Sequence, residues 1–363
     1  MKVAFRTDAS ISIGTGHFMR CLTLAVELKQ KDFEVIFISY NLPAYLCDML
    51  KKNGFAYVLL GVIGTREPTD ELLHSSWLGT SQHQDAKATV QALSDNFCDW
   101  LIVDHYALDE RWEKTVRVCC KKLMVIDDLA DRSHQCDLLL DQNLGRQLND
   151  YVNLVPKHCK VLAGSQYALL RPEFAALRSY SLQRRKQPVL KQMLITMGGI
   201  DQPNATGQVM QLLKSCILPQ DCRISVVMGA EAPWLQQVRA QAQDMPWPTE
   251  VLVNVSNMAQ RMADSDLAIG AAGSTSWERC CLGLPTLMVV LADNQRAIAE
   301  VLQAAGAAKI LDNAFAVPTR SEVLSSFVTN TKALYEMSIK AARIVDGLGA
   351  ASVVSTFLTL ENL

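Results

Sequence analysis

The sequence lacks any strong charge of one sign. Its 363 residues carry 35 Lys and Arg against 37 Asp and Glu, a formal charge of −2, which speaks against a nucleic-acid partner or an anionic membrane surface. No uninterrupted apolar run is long enough to cross a bilayer, so no membrane partner is expected. A signal-peptide pattern is missing too, because the apolar run from Lys2 to Thr7 has strand length and polar residues follow at once. Among eleven cysteines there is no C-x-x-C. Cys119–Cys120 and Cys280–Cys281 are vicinal pairs on predicted helices, and Cys21, Cys98, Cys136 and Cys159 sit in apolar contexts. That usage fits small buried thiols in a reducing compartment, and a cytoplasmic location is expected. Low-complexity segments and short-period repeats are absent, which excludes solenoids and disordered linkers.

What is present is a rhythm. Apolar runs such as VIFISYN (35–41), YVLLG (57–61), WLIVD (100–104), KLMVIDD (122–128) and KVLAG (160–164) alternate with helical stretches and end in polar residues. After a charged, strand-free segment from Tyr167 to Pro188, a second series runs through QMLITMGG, RISVVMG, EVLVNV, DLAIGAAG and PTLMVV. Such alternation predicts parallel sheets covered by helices on both faces. The length predicts two domains, placed here at 1–185 and 186–363, with the last helix, from about Ala350, a candidate to pack back on the first. The expected fold class is α/β: two Rossmann-like domains with parallel sheets facing a central cleft.

The first twenty residues hold the densest cluster of chemistry. Lys2 to Thr7 reads as a strand, Asp8 to Thr15 as a loop and Gly16 onward as a helix. Gly14 and Gly16 allow close backbone approach to a bound group, and the first helical amides would face it. His17 falls in the first turn, where the helix dipole favours the neutral base. Arg6 and Asp8 alternate onto one strand face and are read as reaching the same ligand. The plainer reading is a turn and a helix cap. A dinucleotide fingerprint would need glycine where Met19 stands, which disfavours nicotinamide and flavin cofactors.

Asp127 and Asp128, and Asp104 beside His105, invite a metal reading. Adjacent aspartates point to opposite faces, however, and no histidine pair has ligand spacing, so no metal and no cofactor is expected. In the second half, Gly198–Gly199 and Gly270 to Gly273 lie at strand ends before helices. Ser274 and Thr275 follow the latter, a pattern suited to a diphosphate. Glu278 lies one turn beyond Ser274 and could accept a ribose diol or simply be solvated. Asn294 and Gln295 open the next helical stretch, as ligand groups or as plain caps.

At this point the sequence resembles a known family. RTDASISIGTGHFMRCLTLA, WLGTSQHQDA, IVDHYALDERWE, VIDDLADR, CDLLLDQN, YALLRPEF, ITMGGIDQPN, DLAIGAAGSTSWERCCLGLP and DGLGA are similar, in order, to blocks of the UDP-sugar hydrolases of pseudaminic acid biosynthesis. The second half also looks like the UDP-binding domain of MurG-type glycosyltransferases, and that resemblance implies a GT-B-like fold of two facing Rossmann-like domains. The resemblance implies hydrolysis of UDP-2,4-diacetamido-2,4,6-trideoxy-β-L-altropyranose to UDP and free sugar, with inversion at the anomeric carbon. It implies His17 as catalytic base and Arg171 and Glu278 as substrate contacts. Gly198, Gly199, Gly273, Ser274 and Thr275 would form the diphosphate cradle, and backbone at Asn257 and Met258 would read the uracil edge. Tyr106, Asn294 and Gln295 are assigned to the sugar end. A UDP-linked diacetamido sugar is the expected partner, and the chain is expected to be a monomer or weak oligomer. Two rivals stand beside this reading: a GT-B glycosyltransferase using a UDP-sugar donor, and a nucleotide-sugar-binding regulator without turnover.

Overall fold

The computed structural model describes residues 1–10, 13–61, 70–95, 97–311, 324–325 and 327–361. The chain forms two compact units, Met1–Leu169 with Gly349–Leu363, and Leu170–Leu348. Of the long polar stretch that the sequence places at 62–84, residues 62–69 lie outside the described residues.

The first unit is built on β1 (Lys2–Thr7), β2 (Glu34–Ser39), β3 (Ala56–Leu59), β4 (Cys98–Asp104), β5 (Cys120–Ile126), β6 (Leu138–Asp141) and β7 (Lys160–Ala163). These form one parallel sheet in the order β3-β2-β1-β4-β5-β6-β7. Helices α1 (Gly16–Lys29), α2 (Ala44–Lys52), α3 (Gln82–Ala92) and α4 (Glu110–Val116) connect them. Side chains alternate between two apolar layers. Val3, Phe5, Trp100 and Ile102 pack on one face with Phe18 and Leu24 of α1, while Ala4, Leu101, Val103 and Leu123 pack on the other with Trp112 of α4. Burial on both faces is why these strands read as unbroken apolar runs.

The C-terminal helix Gly349–Glu361 belongs to this unit. Its Phe357 packs on Trp100 with ring centroids 4.3 Å apart, and Glu361 Oε1 accepts from the Trp100 indole at 2.5 Å. Gly349 meets the Tyr167–Ala168 backbone so closely that a Cβ there would overlap it.

The second unit carries β8 (Gln192–Thr196), β9 (Arg223–Met228), β10 (Thr249–Val253), β11 (Leu267–Ala271), β12 (Thr286–Val289) and β13 (Lys309–Ile310) in the order β10-β9-β8-β11-β12-β13, again parallel. Around it lie α5 (Pro172–Arg184), α6 (Ala205–Lys214), α7 (Leu235–Gln243), α8 (Met258–Asp264), α9 (Thr275–Cys281), α10 (Arg296–Ala304) and α11 (Thr331–Ala342). Strand order reverses between β1 and β4 in the first unit and between β8 and β11 in the second. The carboxyl ends at such switch points are where open α/β sheets leave room for ligands.

Two sequence expectations need correction. The boundary was expected at 185, but α5 packs entirely within the second unit. Ser181 Oγ donates to the Leu282 carbonyl at 2.7 Å, and Arg178 donates to Ala342 and Val345 carbonyls at 2.5 and 3.1 Å. The helix expected to carry Cys119 and Cys120 ends at Val116, and Cys120 starts β5 in register with Cys98. Pairing with β4 and burial of Cys120 outweigh the local helical pattern. Among the described residues no helix is long and apolar enough to cross a membrane.

Candidate active site

At the switch point of the first unit, Thr7 ending β1 is in register with Asp104 ending β4. The chain turns from β1 through a loop in which Gly14, at φ +76°, donates its amide to the Ser10 carbonyl at 2.8 Å. Glycine tolerates that left-handed φ without strain. Gly16 then opens α1, and Thr15 provides no side-chain cap. This places His17, 9% exposed, over the end of β4.

The Asp104 carboxylate is fully buried and organises what surrounds it. Its Oδ1 lies 2.6 Å from His17 Nδ1 and accepts from Arg20 Nη2 at 2.8 Å, while Oδ2 accepts from Arg20 Nε at 2.6 Å. Burial alone would raise this carboxyl, but Arg20 and His17 outweigh it and hold it well below the usual carboxylate range. An ionised carboxylate only accepts, so Nδ1 of His17 carries a hydrogen towards it, and in the neutral imidazole the lone pair is then on Nε2. Arg20 reaches further, giving Nη1 to Asp128 Oδ2 at 2.5 Å, and the same oxygen accepts from Tyr106 Oη at 2.7 Å. Tyr106 lies edge-on to the His17 ring at 4.5 Å. Trp77 stacks on Tyr106 at 5.7 Å and His74 lies against Trp77 at 4.4 Å, so an aromatic wall stands beside the imidazole.

A second buried network supports this one. Tyr151 Oη lies 2.9 Å from Asp127 Oδ2 and 2.8 Å from Asp141 Oδ2, with a single hydrogen to share. One carboxyl must therefore bring its own proton. Although burial opposes it, Asp127 is held down to about 2, chiefly by Arg132. Asp141 is pushed up to about 7 by burial and by the Asp128 charge, against the pull of Arg146, whose Nε donates to the same Oδ2 at 2.8 Å, so Asp141 is the more readily protonated partner. Both halves of the Asp127–Asp128 pair are thus engaged by cationic and phenolic groups, and no group of three metal-ligating side chains occurs among the described residues.

Arg6 and Asp8 do not reach a ligand. Arg6 is completely buried, pairing with Asp85 at 2.5 Å and Asp8 at 2.8 Å. Asp8 accepts the Tyr40 amide at 2.7 Å and faces His105 Nε2 at 3.3 Å. The strand does place them on one face, but α3 covers that face and turns them into a brace for the loop after β2.

The second unit presents a glycine-rich edge. At Gly198, with φ +91°, and at Gly199, a Cβ would meet nothing within 4 Å. Behind them Gly229 touches the Gly199 carbonyl so closely that any side chain would overlap it. Gly273 is nearly as open, its Cβ direction meeting only Gln295 Nε2 at 4.0 Å. Ser274 is exposed and makes no capping bond, and Thr275 starts α9. Glu278 keeps 17% side-chain exposure and lies 3.8 Å from Arg171, which also pairs with Glu173 at 3.0 Å. Burial raises the Glu278 carboxyl, the arginine opposing it. Asn257 is exposed at the start of α8, its Oδ1 accepting from Arg261 at 3.1 Å, and Met258 is the first helical residue. Asn294 and Gln295 form a 3₁₀ turn before α10, with Gln295 Oε1 accepting the Leu291 amide at 3.1 Å.

Sequence reasoning missed Asp104 and Asp128 except as metal candidates, and it missed His74 and Trp77. The available signal was position: Asp104 ends the strand that the strand-order rule places beside β1.

Residues 194–351 match the C-terminal domain of glycosyltransferase family 28. The chain is 27% identical over 301 residues to an uncharacterised protein of Methanocaldococcus jannaschii, a match covering 82% of this chain but 57% of that protein's length. It is 27% identical over 307 residues to the UDP-2,4-diacetamido-2,4,6-trideoxy-beta-L-altropyranose hydrolase of Campylobacter jejuni, covering 84% of this chain and 97% of that one. The crystal structure of MurG from Acinetobacter baumannii superposes with a TM-score of 0.70 at 18% identity, over 99% of this chain and 100% of that one. With two parallel-sheet α/β units, the fold is GT-B, as the family resemblance implied.

Proposed function

We propose that this protein is a nucleotide-sugar enzyme that hydrolyses a UDP-linked 2,4-diacetamido-2,4,6-trideoxy sugar to UDP and the free sugar, with inversion. The observation that carries this reading is the His17–Asp104 pair, which in the neutral imidazole leaves the lone pair of Nε2 to act as base. The likeness to the Campylobacter jejuni hydrolase supports the substrate class. The cysteines, all free, fit a reducing compartment, and we place the enzyme in the cytoplasm.

In this mechanism His17 Nε2 takes one proton from a water molecule as the water oxygen bonds to the anomeric carbon. The bond from that carbon to the diphosphate oxygen breaks, and UDP departs with the electron pair. The imidazolium that forms is stabilised by Asp104, which stays ionised throughout. UDP is a good enough leaving group to need no proton, provided donors meet its developing charge. The second unit supplies those donors at Gly198–Gly199 and Gly273–Thr275, with Glu278 on the ribose. The aromatic wall of Tyr106, Trp77 and His74 offers apolar surface to the sugar's methyl and acetamido groups. No metal or cofactor enters this scheme, and activity in excess chelator is expected.

The match to glycosyltransferase family 28 favours one alternative, transfer of the sugar to an acceptor other than water. Proton NMR of the UDP-sugar incubated with protein alone separates the two. The proposed hydrolase releases free sugar of inverted configuration, whereas a transferase leaves the donor intact until an acceptor is added.

A further inference from the structure

One buried charge has no part in the chemistry above. Arg279, in α9, is 1% exposed, yet among the described residues no carboxylate pairs with it. Its hydrogen bonds go to the Ala271 carbonyl at 2.7 Å, Ser276 Oγ at 3.0 Å and Thr275 Oγ1 at 3.3 Å, and its Nε is buried without a partner. The neighbouring Glu278 faces Arg171 instead. Burial pulls even this guanidinium down, to about 10.

Arg185 is a second buried guanidinium with no paired carboxylate among the described residues: its Nη1 and Nη2 meet the Met262, Ala263 and Ser265 carbonyls at the C-terminal end of α8, its Nε has no partner, and burial pulls it down to about 9. Arg279 instead folds back beneath the Gly273–Thr275 loop. The sheet makes room for it: a Cβ at Gly270 would lie 2.6 Å from Arg279 Nη1 and 2.8 Å from the Thr196 carbonyl. Gly270 has no left-handed backbone, so glycine is required there by space alone. An uncompensated buried cation is costly, and holding one gains the fold nothing in stability.

Hydrogen-bond direction indicates its use. Arg279 donates to the Thr275 and Ser276 hydroxyl oxygens, so the hydroxyl hydrogens are directed elsewhere and polarised by the charge behind them. A group bearing negative charge at the Gly273–Thr275 loop would supply the missing counter-charge. We propose that Arg279 is a positioning residue for the diphosphate of a nucleoside diphosphate, acting through Thr275 and the loop it anchors without touching the ligand. The inference rests on the proposal that the second unit holds the nucleotide. It adds that affinity follows the number of phosphates, and that the same charge stabilises the departing diphosphate.

The test is calorimetric titration of the full chain with UDP, UMP and uridine, for wild type, Arg279→Met and Arg279→Gln. Arg279→Gln keeps an N–H for Thr275 without the charge, and it carries the comparison if Arg279→Met does not fold. The expected result is a fall in UDP affinity of about tenfold or more in either variant, with uridine affinity nearly unchanged. Arg279→Lys is expected to keep most of the UDP-over-uridine preference. An unchanged preference in Arg279→Met or Arg279→Gln would overturn the inference while leaving the nucleotide site standing. Equal loss for UDP and uridine would also overturn it, by making Arg279 a structural residue only. If wild type bound none of the three, the reading of the second unit would fall and this inference with it.

Discussion

Asp104 Oδ1 and His17 Nδ1 are 2.6 Å apart although 87 residues separate them in the chain. The strand end and the first helical turn meet because β4 pairs directly with β1. This contact decides which imidazole nitrogen is free. Asp104→Asn can present an amide N–H to Nδ1, which then becomes the acceptor and moves the ring hydrogen to Nε2. Turnover is expected to fall by roughly 10²–10⁴-fold, the usual worth of a general base, with the Kd for UDP unchanged. Because the native carboxyl is held low, its contribution to stability is present above the unfolded pKa and lost as pH falls through the folded value. The variant should therefore melt lower than wild type at pH 7. Steady-state kinetics, UDP titration and a melt check all three.

His17→Gln removes the base itself. Turnover should drop by at least about 100-fold, and UDP affinity, which we assign to the second unit, should stay within error of wild type. Wild-type turnover in this variant would end the assignment of His17.

Asp141→Asn imitates the neutral form that the hydrogen-bond count requires beside Tyr151. The folded carboxyl sits at about 7 against an ordinary 3.8, so the native state binds more protons than the unfolded one between those values. Stability of the wild type is therefore lost as pH rises from about 4 to about 7. The variant should match wild type near pH 4 and melt higher at pH 8. Parallel melting curves across that range would refute the assignment of the proton to Asp141.

Gly229→Ala drives a Cβ into the Gly199 carbonyl. Backbone cannot yield there as a flexible side chain would, so a cost of about 1–3 kcal/mol is expected, with the Gly198–Gly199 loop displaced. UDP binding should weaken while the environment of Trp100 in the first unit is unchanged. Titration together with histidine and tryptophan NMR signals reads both.

Phe357→Ala tests the C-terminal helix. Phe357 is fully buried against Trp100, and its removal should cost about 3–5 kcal/mol of stability in the first unit. Denaturant unfolding followed by tryptophan emission measures it.

Much of the architecture was legible in the sequence because parallel strands buried on both faces must be apolar throughout. The runs at 100–104, 122–126 and 192–196 declared themselves. The glycines at 198, 199 and 273 were legible as open positions, since a strand end followed by small residues leaves space for a ligand. Arg6 and Asp8 misled because alternation tells which face a side chain takes, not what covers that face. Here α3 brings Asp85 onto it, and a pair read as ligand contacts becomes a buried brace.

By itself the sequence determined the two α/β series, the parallel sheets and the histidine at the start of the first helix, all consequences of local pattern. Only tertiary structure decided which distant groups those elements bring together. Asp104 meets His17, Asp141 shares Tyr151 with Asp127, and Arg279 lies under a loop with no paired carboxylate among the described residues, because strand order and burial set these meetings. A charge's partner and protonation state depend on neighbours far away in the chain, and no local spacing encodes them.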